Sequence, residues 1–135
     1  MNNQGQVSLE SLLIWAALAG ALALFTPAFS NLMQAYALQE QVLELKSHAQ
    51  QLESIFHSLS FQAPGSKIIY KWSSSASNEF SVSGNDLELQ LTHASFLAPK
   101  IFIAKSPIPI STSLNPSFSS LIITRAENGI TIQSQ

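Results

Sequence analysis

The chain has 135 residues, enough for one modest domain, and only 10% of them are charged, against about 25% in ordinary soluble domains. Its net charge of −2 provides no basic footprint for nucleic acid, and the lack of cysteine excludes disulfides and thiolate metal sites. A mean hydropathy of +0.20 is high for a fully soluble protein.

The charges are unevenly spread. No charged residue occurs between Glu10 and Glu40. Within that gap, the run from Leu12 to Phe29 is apolar apart from Gly20, Thr26 and Pro27. As a helix rising 1.5 Å per residue it would span about 27 Å, close to the hydrocarbon thickness of a bilayer. A buried core helix rarely runs this far without a polar face, so the run reads as membrane-inserting. Ser8 is the expected N-cap, which places Glu10 in the first turn, where the helix dipole favours negative charge. Pro27 removes one ladder hydrogen bond and predicts a kink, which membrane helices tolerate better than soluble ones.

From about Ala37 to Leu59 the same helix is expected to continue with a different face. Leu38, Val42, Leu45, Ala49, Leu52, Phe56 and Leu59 recur at spacings of four and three, a heptad seam. Glu40, Gln41, Glu44, Lys46, Gln50, Gln51 and Glu53 fill the other positions. Such a stripe either zips with a neighbouring helix or lies on the chain's own sheet. The second is the expectation, because the strands that follow need a cover. Pro64-Gly65 is a strong breaker pair, and the helix is predicted to end before it.

The remainder, Ser66 to Gln135, reads as a small β domain. Lys67–Ser73 and Asn78–Val82 are short strands around a Ser-rich turn, and Ser83–Asp86 ("SGND") signals a hairpin. Beyond it, Leu87, Leu89 and Leu91 alternate with Glu88, Gln90 and Thr92. Lys100–Lys105 and Pro107–Ser111 follow, and the two prolines of the latter suit an edge strand. The final "SLIITRAENGITIQ" predicts a hairpin turning at Asn128-Gly129. Six strands are expected, with one face for the amphipathic helix, and the pattern leaves open a sandwich or a single sheet over the helix. The fold class is therefore α+β: a long N-terminal helix, membrane-spanning in its first half and amphipathic in its second, packed on a small antiparallel β domain. The segments are 1–5 (leader), 6–36 (apolar helix), 37–63 (amphipathic continuation) and 64–135 (β head).

Catalytic patterns are missing: no nucleophile elbow, Gly-rich phosphate loop or paired metal-ligand spacing occurs. His48 and His57 lie nine residues apart, off the three-or-four spacing of a helical metal clamp. With His93 they read as solvated or interfacial, and Asp86 and Glu88 as solvated beside a turn. These residues offer no basis for an enzyme, a cofactor or a metal. Asn115 is followed by Pro116, which disqualifies it as a glycosylation acceptor.

One stretch is specific. Gly5 is followed by Gln6, Val7, Ser8, Leu9 and Glu10, and the apolar run begins at once. This resembles archaeal type IV pilin-like precursors with a class III signal peptide, whose motif is a glycine followed by Gln-x-Ser-x-Glu. Gly5, Gln6, Ser8 and Glu10 match it residue for residue, and the likeness covers about residues 5 to 30. The family usually places basic residues before the glycine, whereas "MNNQG" has none, so the positive-inside rule assigns no orientation. The resemblance implies that a membrane prepilin peptidase cuts between Gly5 and Gln6. It implies that the retained helix sits in lipid and then packs with homologous subunits in the core of a surface filament. Leu12, Leu13, Ile14, Trp15, Leu18, Leu22, Leu24, Phe25 and Phe29 would face the membrane and later the filament core, with Pro27 at the kink.

In such a core a lone carboxylate is prohibitive, so Glu10 needs a cation or must lose its charge. Cleavage would create an α-ammonium on Gln6, and that group on a neighbouring subunit is the expected partner. An alternative class is an unprocessed single-pass surface protein whose β domain binds a partner. A bacterial secretion pseudopilin shares the physics, but its residue after the cut is usually aromatic or Met, so Gln6 argues against it.

Overall fold

The structure, a computed structural model, describes residues 3–72, 78–114 and 119–135, with the backbone alone for 3–7 and 78. The expected Ser-rich turn at 73–77 and the Asn115-Pro116 pair lie outside the described residues. Two compact units divide the chain, Met1–Gln39 and Glu40–Gln135.

One α-helix, α1, runs from Asn3 to Ser60 without interruption at Pro27. Ser8 is therefore not its N-cap, and no acidic residue lies in its first turn. Residues 3–7 contain nothing that stops a helix: Asn and Gln are tolerated, and Gly5 costs only about 1 kcal/mol relative to alanine. Ser8 instead offers its carbonyl to Ser11 Oγ at 3.1 Å, and Thr26 Oγ1 donates to Leu22 O at 2.7 Å, one residue before the proline. At the other end Gln62 N donates to Leu59 O, and the chain leaves the helix ahead of Pro64-Gly65 as expected. That pair builds a tight turn. Ser66 N donates to Ala63 O at 3.2 Å, and Gly65 takes φ +94°, the positive value that a type II turn demands after proline.

Among the described residues seven strands follow rather than six: β1 (Lys67–Lys71), β2 (Asn78–Ser83), β3 (Asp86–Leu91), β4 (Lys100–Lys105), β5 (Ile110–Ser113), β6 (Ser120–Arg125) and β7 (Ile130–Ser134). They form two sheets, in the orders β1-β6-β7-β5 and β2-β3-β4. All pairings are antiparallel except β5 with β7, which run parallel. The edge strand expected at Pro107–Ser111 is indeed an edge, but it starts at Ile110, once both prolines are past. Ser106 turns the chain there, its Oγ donating to Ile108 O at 2.7 Å.

Both sheets and the second half of α1 share one core. Leu45, Ala49, Leu52, Phe56 and Leu59 of the helix are buried with Leu87, Leu89 and Leu91 of β3, Ala104 of β4 and Ile110 of β5. Leu121 and Ile123 of β6 and Ile130 and Ile132 of β7 complete the cluster. The heptad stripe is thus consumed by the chain's own strands, which form two sheets rather than one.

Two hairpins differ in how they turn. Between β2 and β3, Gly84 has φ +65° and Asn85 a negative φ, the pattern of a II′ turn with Ser83 opposite Asp86. Between β6 and β7 the hairpin forms as expected, but not by a two-residue Asn-Gly turn. Arg125 pairs with Ile130, so the loop is 126–129, and neither Asn128 nor Gly129 has positive φ. Gly129 is needed there for space: a Cβ on it would lie 2.5 Å from the backbone oxygen of Pro109. That oxygen accepts from Ile130 N at 2.8 Å and ties the turn to the approach of β5. Gly129→Ala is expected to destabilise the β domain by about 1–3 kcal/mol, as overpacking against an unyielding backbone does. Urea unfolding followed by tryptophan fluorescence measures it.

Candidate functional site

Every residue from Ser8 to Ala37 is exposed, including Leu12, Leu13, Ile14, Trp15, Leu18, Leu22, Leu24, Phe25 and Phe29. Trp15 shows 72% of its surface and Leu24 79%. Successive helical residues are about 100° apart, so Leu12 to Trp15 alone point to all sides of the axis. A polar face to turn toward water is therefore missing. A helix that is apolar all round requires burial in something other than itself, and exposed apolar surface on this scale marks a membrane or an interaction site. Among the described residues, α1 is the one helix long and apolar enough to cross a membrane.

At the head of this surface the motif residues lie on the helix. Ser8 and Glu10 are exposed, and for Gly5 and Gln6 the helical backbone alone is described. Gln6 and Glu10 are separated by four residues, which puts them on one side of the helix one turn apart. Nothing charged follows until Glu40. Within the described helix Glu10 is thus a solitary charge at the margin of the apolar surface.

A second cluster escaped the sequence reading. His48 is buried where α1 meets β1, its ring stacked on Trp72 at 4.3 Å and edge-on to Tyr70. Trp72 in turn meets Phe80 of β2 edge-on. The Tyr70 hydroxyl donates to Gln51 Oε1 at 2.9 Å, so the 2.5 Å contact with His48 Nδ1 has the imidazole N–H as its donor. Nε2 is then buried without a hydrogen-bond partner, 3.8 Å from the Glu44 carboxylate. Of the two readings open to this histidine, interfacial is the one observed. The 22-residue separation between His48 and Tyr70 left no local signal for it. His57 and His93 are exposed, the latter accepting from Ser95 N at 3.1 Å. Glu88 is half-buried and accepts from Ser81 Oγ at 3.2 Å. Among the described residues, no group of three or more His, Asp or Glu side chains is placed to hold a metal ion.

Burial raises the Tyr70 phenol above its ordinary value near 10. A phenol that ionises less readily when folded stabilises the fold fully below pH 10, and that contribution is lost as pH rises through its folded value. Tyr70→Phe is expected to remove this alkaline loss. At neutral pH it leaves the His48 N–H without an acceptor, a cost of about 1–3 kcal/mol. Denaturation midpoints of both proteins at pH 7 and above pH 10 separate the two effects.

Compared with protein-family models, curated proteins and solved structures, the chain gives no match.

Proposed function

We propose that this chain is a structural subunit, major or minor, of a type IV pilus-like surface filament of the archaeal kind. The observation that carries the reading is the juxtaposition at the N-terminus. A Gly-Gln-x-Ser-x-Glu motif leads directly into a helix that exposes apolar side chains on every side. Among the described residues, every buried apolar side chain belongs to the unit Glu40–Gln135, which closes a core of its own. Such a helix is suited to two environments in turn, lipid before assembly and the packed helices of other subunits afterwards.

In this reading a prepilin peptidase severs the Gly5–Gln6 bond, and the chain from Gln6 onward is the filament subunit. The carboxylate of Glu10 pairs with the α-ammonium of Gln6 on a neighbouring subunit, which sets the register of addition. Replacing Gly5 tests the processing step by itself. Gly5→Phe should block the cut while leaving insertion intact, so that membrane-extracted protein keeps the mass of Met1–Gly5. A Gly5→Phe protein that is cut as well as the original removes the peptidase from the account. If the original protein also retains its leader, the chain is an unprocessed membrane anchor displaying a β domain.

A further inference from the structure

The two sheets turn differently charged faces outward. On the β1-β6-β7-β5 sheet, Lys67, Ile69 and Lys71 are exposed, and Ile69 lies opposite Ile122 in the adjoining strand. No carboxylate occupies an outward position of these four strands. On the β2-β3-β4 sheet, Glu79 and Glu88 point outward beside Ile101 and Ile103, and Asp86 lies opposite Lys105 in register. Lys67, Lys71, Glu79 and Glu88 make no ion pair within the chain among the described residues. Each face also carries uncovered apolar surface: Ile69 is 65% exposed, Ile101 52% and Ile103 44%.

We infer that the Lys67–Ile69–Lys71 face of one copy docks on the Glu79–Glu88–Ile101–Ile103 face of the next copy. The occupant follows from charge. Pairing like faces would set lysine against lysine or glutamate against glutamate, which is repulsive, whereas unlike faces match in both charge and apolar content. An interface between two different surfaces of one chain does not close on itself unless a rotation makes a ring, and it generates an open polymer. The inference rests on the filament reading, to which it adds a contact between β domains that the apolar helices already hold side by side; at dilute concentration this contact alone does not hold isolated β domains together.

Charge exchange in the full-length chain tests it. Lys67→Glu with Lys71→Glu should lower the yield of sheared filaments about tenfold or more, and Glu79→Lys with Glu88→Lys should do the same. All four changes together should restore much of the loss, because the faces are then complementary again. Either pair leaving the yield unchanged, or the quadruple variant faring no better than the pairs, overturns the docking.

A crosslink guards against misfolded variants. The chain has no cysteine, so Lys71→Cys and Glu79→Cys copies made in one cell each carry a unique thiol. A flexible bismaleimide should yield the mixed dimer and little of either homodimer. Filaments without the mixed dimer would refute the docking and spare the filament reading. The mixed dimer without filaments would do the reverse, and neither product refutes both.

Discussion

Cells carrying Glu10→Gln are expected to hold normal amounts of inserted subunit and to lose their surface filaments. Glutamine nearly preserves the shape and helix propensity of glutamate, and its neutrality makes residence near lipid easier, so insertion survives. What changes is the environment that an incoming subunit meets. On the proposed reading, the α-ammonium of a processed Gln6 is the only cation before Glu40, and Glu10 is the one other charge there. Buried among apolar helices without its carboxylate, that ammonium costs roughly 3–5 kcal/mol, the penalty for breaking a buried pair. At about 1.4 kcal/mol per tenfold change, this is roughly two to three and a half orders of magnitude in the assembly equilibrium. The sign also distinguishes assembly from processing. If Glu10 serves the peptidase alone, the accumulated protein keeps its leader, and if it serves pairing, the accumulated protein is cut. Cyclisation of Gln6 to pyroglutamate would erase the amine, and the mass of the N-terminal peptide reports it directly. An uncyclised Gln6 in abundant Glu10→Gln filaments rules the pairing out.

Leu52→Ala is expected to destabilise the β domain by about 2–5 kcal/mol, the range for large-to-small changes at fully buried sites. Leu52 is completely buried, in line with Leu45, Ala49, Phe56 and Leu59, and it packs in the cluster that joins the helix to both sheets. A unit of this size has a total stability of about 5–15 kcal/mol, so the loss is a large share of the whole. Leu43→Ala is the control: the side chain is 57% exposed, and its removal should shift stability by less than about 0.5 kcal/mol. The denaturation midpoint should fall for the first variant at unchanged slope, which is the mark of altered stability rather than altered compactness. The same burial predicts that a chain beginning at Gln34 is soluble, folded and monomeric by light scattering. A stable helical oligomer of that chain would return the stripe to the coiled-coil alternative.

Much of this organisation was legible in local patterns. The apolar run shows as a gap in charge, and the stripe from Leu38 to Leu59 as alternating steps of four and three. Pro64-Gly65 and Gly84-Asn85 identify their turns because each needs a positive φ that glycine supplies. What escaped the sequence depends on partners distant along the chain. Asn128-Gly129 looks like a two-residue turn, yet the oxygen of Pro109 claims the space beside Gly129, and the loop opens to four residues. The parallel pairing of β5 with β7, and the division of the strands into two sheets, leave no mark on alternation. His48 gave no hint of its place because Tyr70, Trp72 and Phe80 reach it only after the fold has formed. Ser8 failed as a cap for a simpler reason: a cap requires the preceding residues to leave the helix, and the helix continues back to Asn3. The motif from Gly5 to Glu10 is made of consecutive residues, so its reading depends on no partner distant along the chain.

The mass of the subunit in filaments sheared from cells tests the central claim most directly. The account predicts that this chain is present and lacks Met1–Gly5, beginning at Gln6 or its cyclised form and retaining the entire apolar helix. A chain found only in membrane extracts, with Met1–Gly5 still attached in a host whose prepilin peptidase is active, would contradict it.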